Sequence, residues 1–209
     1  MIRKWLWLLC IFLAIIIGLY PGLYFVLDRK FGLLGSKTDR LLSDVFWNIG
    51  FYIHIIFSGI ALLAGWPQFS KKLRKNHIEL HRKIGKLYVA CALLGAAAGF
   101  YIAFHATGGM IASVGFICLA LVWFTTTLSA YIHIKNARIT LHQKMMIYSY
   151  AACFAAVTLR IWLPALVICT KDFTTSYIIV AWLCWIPNLI FAGFLARKIS
   201  RAPLHQVIS

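Results

Sequence analysis

The chain has 209 residues, 21 Lys and Arg against 5 Asp and Glu for a formal charge of +16, and 62% apolar against 12% charged residues. Soluble domains run at about 45–50% apolar and about 25% charged, so a soluble globular enzyme, a disordered tail and a secreted disulfide scaffold are all but excluded. The composition predicts an all-α, polytopic membrane protein: one bundle of six transmembrane helices spanning residues 1–209.

Each of six apolar runs reaches the roughly 20 residues that a helix needs to cross hydrocarbon at about 1.5 Å rise per residue. The runs are continuously apolar and do not alternate, which favours helices over a barrel. The first, Trp5 to Leu27, follows Arg3 and Lys4. It is too long for a signal peptide and no small-x-small cleavage site follows, so it reads as a retained helix kinked at Pro21-Gly22. The second, Val45 to Trp66, carries His54 about 14 Å below its outer edge. The third, Leu87 to Ala106, holds Gly95 and Gly99 as G-x-x-x-G, a pattern for close helix packing within the bundle or in a homo-oligomer. Ala112 to Ile134 forms the fourth and ends at His133. Met145 to Cys169 carries Arg160 in its outer half, and Tyr177 to Ala196 carries Asn188 near its middle.

The connections sort by charge. If both termini lie inside, the inner segments hold Arg3, Lys4, the cations from Lys71 to Lys86, Lys135, Arg138, Lys144, Arg197, Lys198 and Arg201, opposed only by Glu79. The positive-inside rule therefore predicts both termini in the cytoplasm. Topology and attraction to anionic lipid, on the order of 1 kcal/mol per exposed cation, account for the charge without a nucleic acid partner. The six cysteines fall inside apolar runs with no C-x-x-C and read as small buried hydrophobes.

All five acids lie in loops or at their edges, so no carboxylate pair is offered within the membrane for acid-base chemistry or an oxygen-rich metal site. Arg160 is the sharpest signal. A guanidinium inside a span costs at least about 2.5–3.5 kcal/mol and keeps its proton. It must meet either helix carbonyls, Asn188 and threonine hydroxyls, or an anion or carbonyl from outside the chain. By depth, His54, Arg160 and Asn188 are expected to share an outer polar site. His81 and His142 precede the third and fifth spans at similar inner depth and meet the condition for two axial ligands of one haem; the alternative is that they bind lipid headgroups or loop backbone. His105, at the opposite end of the third span, cannot join His81 on one iron. His77 and His81 could share a helical face, but H-I-E-L-H lacks the H-E-x-x-H order of zinc proteases. His205 is expected to be solvated.

G-W-P-Q-F at Gly65 to Phe69, H-R-K-I-G-K-L-Y-V at His81 to Val89, H-Q-K-M-M at His142 to Met146 and A-A-V-T-L-R at Ala155 to Arg160 carry a likeness. Over roughly residues 45–196 the chain resembles the bacterial membrane proteins grouped as domain of unknown function 2306. That resemblance implies a polytopic helical membrane protein and supplies no reaction. In architecture alone the chain is similar to six-helix dihaem cytochromes b, although His54 has no partner at equal depth for a second haem. The leading expectation is a cytochrome-b-like electron-transfer protein, a membrane oxidoreductase. It would hold haem b through His81 and His142, with a quinone or second cofactor at His54 and Arg160. A second is a haem-free binding, transport or assembly subunit with a lipid or small-anion site at His54, Arg160 and Asn188, and with Arg82 among the lipid-binding cations. A third is a membrane enzyme with a histidine-bound metal other than haem.

Overall fold

The computed structural model describes residues 2–201, and side chains from residue 4 to residue 199. His205 and the side chains of Arg3 and Arg201 lie outside that description. Among the described residues ten α-helices follow in order: α1 (Ile2–Leu19), α2 (Asp39–Leu42), α3 (Val45–Gly65), α4 (Lys71–Asn76), α5 (Ile78–Ala103), α6 (Gly109–Lys135), α7 (Ile139–Cys153), α8 (Ala155–Thr170), α9 (Phe173–Leu183) and α10 (Ile186–Arg201). They make six spans long and apolar enough to cross a bilayer: Lys4–Phe25, Val45–Phe69, Ile78–Ala103, Gly109–Lys135, Ile139–Thr170 and Phe173–Ile199. The protein is a multi-pass, all-α membrane protein.

The acids outside the spans have local work. Asp44 accepts from the Trp47 backbone N–H at 2.8 Å and Asp172 from that of Thr175 at 2.6 Å, so two spans that start at this end are capped by carboxylates. Both satisfy an orphan donor and meet the positive end of a helix dipole. Asp39 instead pairs with Lys30 at 2.8 Å.

α5 lies between α3 and α6, and α6 touches α7 and α9 as well. Small residues set the close approaches. At Gly59 a β-carbon would stand 2.6 Å from the Gly18 carbonyl oxygen, so α1 crosses α3 glycine on glycine. The packed half of the bundle centres on Tyr88, Ala92, Leu62, Tyr150 and Val157. There Ser149 Oγ sits 2.7 Å from Tyr88 Oη and 2.6 Å from Thr127 Oγ1, and Thr127 donates to the Trp123 carbonyl at 2.7 Å.

Three features differ from the sequence reading. The third span starts at Ile78 instead of Leu87, which puts His81 on the first turns of α5. His77 caps that helix with φ of −140°, off the helix, and its carbonyl accepts from the His81 N–H at 3.0 Å. The fifth and sixth spans are each two helices, broken at Phe154 and at Cys184-Trp185. Pro187 accounts for the second break: it has no N–H for the Leu183 carbonyl, and its ring disfavours a helical residue before it.

Candidate functional site

The register of α3 on α5 places His54. Its ring lies where a β-carbon at Gly99 would be, with Nδ1 2.7 Å and Cε1 2.9 Å from that position. One turn along, Ser58 Oγ lies 2.8 Å from the corresponding position at Gly95. The G-x-x-x-G stripe is therefore spent inside the bundle, on α3. His54 Nδ1 is 2.8 Å from the Gly95 carbonyl oxygen. A carbonyl only accepts, so Nδ1 carries the proton and a neutral ring keeps its lone pair at Nε2.

His54 borders a cavity of about 200 Å³ at the end of the bundle opposite the basic loops. Arg160, Lys37, Ser58, Trp123 and Tyr177 border it too. Most of the wall is apolar or aromatic, and no Asp or Glu contributes to it. Arg160 donates to the Ala156 carbonyl at 2.9 Å, and its guanidinium carbon stands 4.4 Å over the Tyr20 ring. That cation–π contact disperses charge without neutralising it. One carbonyl bond and the Tyr20 contacts leave most of the guanidinium donors for something else. Ser58 Oγ is buried without a partner.

Lys37 comes from the connection between the first two spans. A short 3-10 turn, Gly32–Ser36, brings it back over the bundle, where Nζ donates to the His105 carbonyl at 2.5 Å and to Thr107 Oγ1 at 3.1 Å. Burial pushes its amine down to about 8. The sequence reading missed Lys37, since an outer-loop lysine reads as solvated. The sign against it was weak: a cation on the side that the positive-inside rule leaves poor in them.

Asn188 does not border the cavity. Its amide donates to the Cys184 carbonyl at 3.0 Å, to Thr158 Oγ1 at 3.1 Å and to the Ala151 carbonyl at 3.3 Å, while Thr158 donates to Cys184 O at 2.5 Å. These bonds join the two helix breaks to each other. Ala151 lies one turn before Ala155, so a side-chain amide at its carbonyl accompanies the interruption at Phe154. The expected trio thus divides into His54 and Arg160 at the cavity and Asn188 as a tie behind it.

At the basic end, His81 and His142 stand within electrostatic range of one another, and Arg74 and Arg82 near His81. His142 Nδ1 is 2.9 Å from the Ala130 carbonyl, and His81 Nδ1 is buried without a partner. Arg82 is exposed on α5. Neither imidazole borders the cavity. Among the described residues, no group of three or more His, Cys, Asp or Glu is placed to hold a metal ion.

A family model described as predicted membrane protein, domain of unknown function 2306, matches residues 51–196. No curated protein and no solved structure matches the chain.

Proposed function

We propose, for a chain that belongs to the domain of unknown function 2306 family of membrane proteins, that it binds a small amphiphilic ligand through an oxyanion or carbonyl at Arg160, in the cavity that His54 also borders. The supporting observation is that Arg160 borders a largely apolar cavity with most of its donors unspent and no acid beside it. A buried guanidinium is costly until a counter-charge or acceptor reaches it. A small anion, the oxyanion of a lipid headgroup and a quinone carbonyl all meet that need. We place the basic end in the cytoplasm of a bacterial inner membrane, which puts the cavity in the outer half. The exposed cations at that end, Arg82 included, would face anionic lipid.

The test measures bound ligand and thermal stability on the same detergent-purified samples. Arg160→Gln keeps the fold and lowers ligand content per folded molecule, because a neutral amide avoids an unpaired charge and keeps some hydrogen bonding. Arg160→Lys is also impaired, since an ammonium lacks the planar fork. Unchanged occupancy in Arg160→Gln removes the residue from the site.

The electron-transfer reading has the proximity of His81 and His142 in its favour. With Nδ1 engaged by Ala130, His142 would offer Nε2 to a haem b iron, and haem would supply one-electron chemistry there. An absorption spectrum after expression with haem precursor tests it: a low-spin signature lost in His81→Ala and in His142→Ala is expected. Colourless protein ends it.

A further inference from the structure

The wall of the cavity also specifies what its occupant must offer, and this step rests on the reading above. We infer that the occupant is an organic oxyanion on an apolar body of about one aromatic ring, held between Arg160 and Lys37.

Charge comes first. Two cations on separate elements border one cavity, and no acid does. Lys37 meets a carbonyl and a hydroxyl, Arg160 a carbonyl and an aromatic face, so neither has a counter-ion. A neutral carbonyl compound would leave both charges uncompensated in a low dielectric, where attraction to an anion is strongest. The second argument is the lone pair at His54 Nε2, which repels an oxyanion and turns it toward the two cations. Size is the third. A dry apolar cavity of about 150 Å³ takes a benzene ring, so about 200 Å³ has room for a ring and its substituent. Phe51, Phe116, Trp47 and Trp123 supply aromatic wall for that ring.

Lys37 makes the affinity depend on pH. The titratable groups that face it across the cavity are His54 from α3, Arg160 from α8, Tyr24 from the turn after α1, Tyr177 from α9, and the thiols of Cys153 and Cys184. Lys37 loses its charge as pH rises through about 8, so oxyanion binding weakens over that interval and stays flat in Lys37→Met.

Trp47 and Trp123 border the cavity and report on it, so the experiment is a tryptophan-fluorescence titration of the full chain in mild detergent. The probes are benzoate, phenyl phosphate and neutral benzamide. At neutral pH at least one anion binds about tenfold or more tighter than benzamide, the ratio for one charge-assisted contact of about 1.4 kcal/mol. The tighter of the two identifies carboxylate or phosphate as the source. Lys37→Met removes most of that ratio and the pH dependence, and Lys37→Arg restores binding without the pH dependence. Equal binding of all three probes, no binding of any, or anion binding indifferent to Lys37→Met overturns the inference. If benzamide binds as well as the anions and Arg160→Gln still weakens it, the cavity reading stands and only the charge class falls. If ligand content is also unchanged in Arg160→Gln, both fall.

Discussion

Two layers of the same bundle treat polar side chains in opposite ways. Around Tyr88, Ser149 and Thr127 each hydroxyl finds another or a carbonyl, and Tyr150 donates to the Leu62 carbonyl at 3.2 Å. Around His54 and Arg160 the groups are left incomplete: Ser58 Oγ has no partner, and two cations have no acid. Both layers draw on the same spans, so the difference does not come from composition. It comes from where bulk is placed. Tyrosine rings fill the first layer, while the glycines of α5 in the second are occupied by His54 and Ser58, with open volume beside them.

The largest effect that can break this comparison is added bulk. At Gly65 a β-carbon would stand 2.3 Å from the Tyr150 ring and 2.9 Å from that of Tyr88, rings packed in the core. Gly65→Val is expected to cost about 3 kcal/mol in detergent unfolding, at the upper end of overpacking. Gly99→Ala meets the same kind of clash with His54, but that ring has a cavity to move into, so stability falls by less than about 1 kcal/mol while ligand retention drops. Equal stability losses would show that the second layer is as solid as the first.

Hydroxyl deletion sharpens it. Ser149→Ala takes the hydroxyl partner from Tyr88, leaves Thr127 its bond to the Trp123 carbonyl, and is expected to cost about 1–2 kcal/mol. Ser58→Ala removes a group with no partner and stays within about 0.5 kcal/mol of the parent. A destabilised Ser58→Ala would mean that Ser58 has a structural partner after all.

Asn188→Leu tests the tie behind the cavity. Losing three interhelical and local bonds is expected to cost about 1 kcal/mol, with ligand per folded molecule unchanged. A selective loss of ligand would return Asn188 to the site.

A separate effect is on pH dependence. The Lys37 amine lies near 8 in the fold against an ordinary 10.5, so between those values the unfolded chain binds more protons. Ligand-free stability therefore rises with pH across that window, the reverse of the affinity trend. Melting temperatures of the parent and Lys37→Met at about pH 7.5 and pH 9.5 check it through the difference between the two proteins. A parent curve parallel to Lys37→Met refutes it.

The sequence made the spans legible because six apolar runs are long and well separated. Depth arithmetic also brought His54 and Arg160 to one level, since helical rise is nearly constant. It could not supply rotation about each helix axis. A span that is apolar all round shows no preferred face, so nothing turned Asn188 away from the cavity and toward Ala151. Pro187 did carry the sixth-span break, whereas no residue type near Phe154 marks the fifth. Lys37 was hidden for a different reason: its position depends on the path of residues 28–44. That path is held by Arg29 on Tyr52, Asn48 and the Leu42 carbonyl, and by the Ser36–Thr107 contact, none of which has a periodic signature.

The packing of His54 on Gly99 makes two positions, 45 residues apart in the chain, into one shared allotment of space. Related sequences should therefore change them together. Alanine at position 99 pushes the imidazole into the cavity, and a homologue with a side chain larger than alanine at 99 is expected to have given up the imidazole and, with it, the lone pair beside Arg160. The paired identity at 54 and 99 thus sorts relatives that keep this binding chemistry from those that keep only the bundle, before any of them is purified.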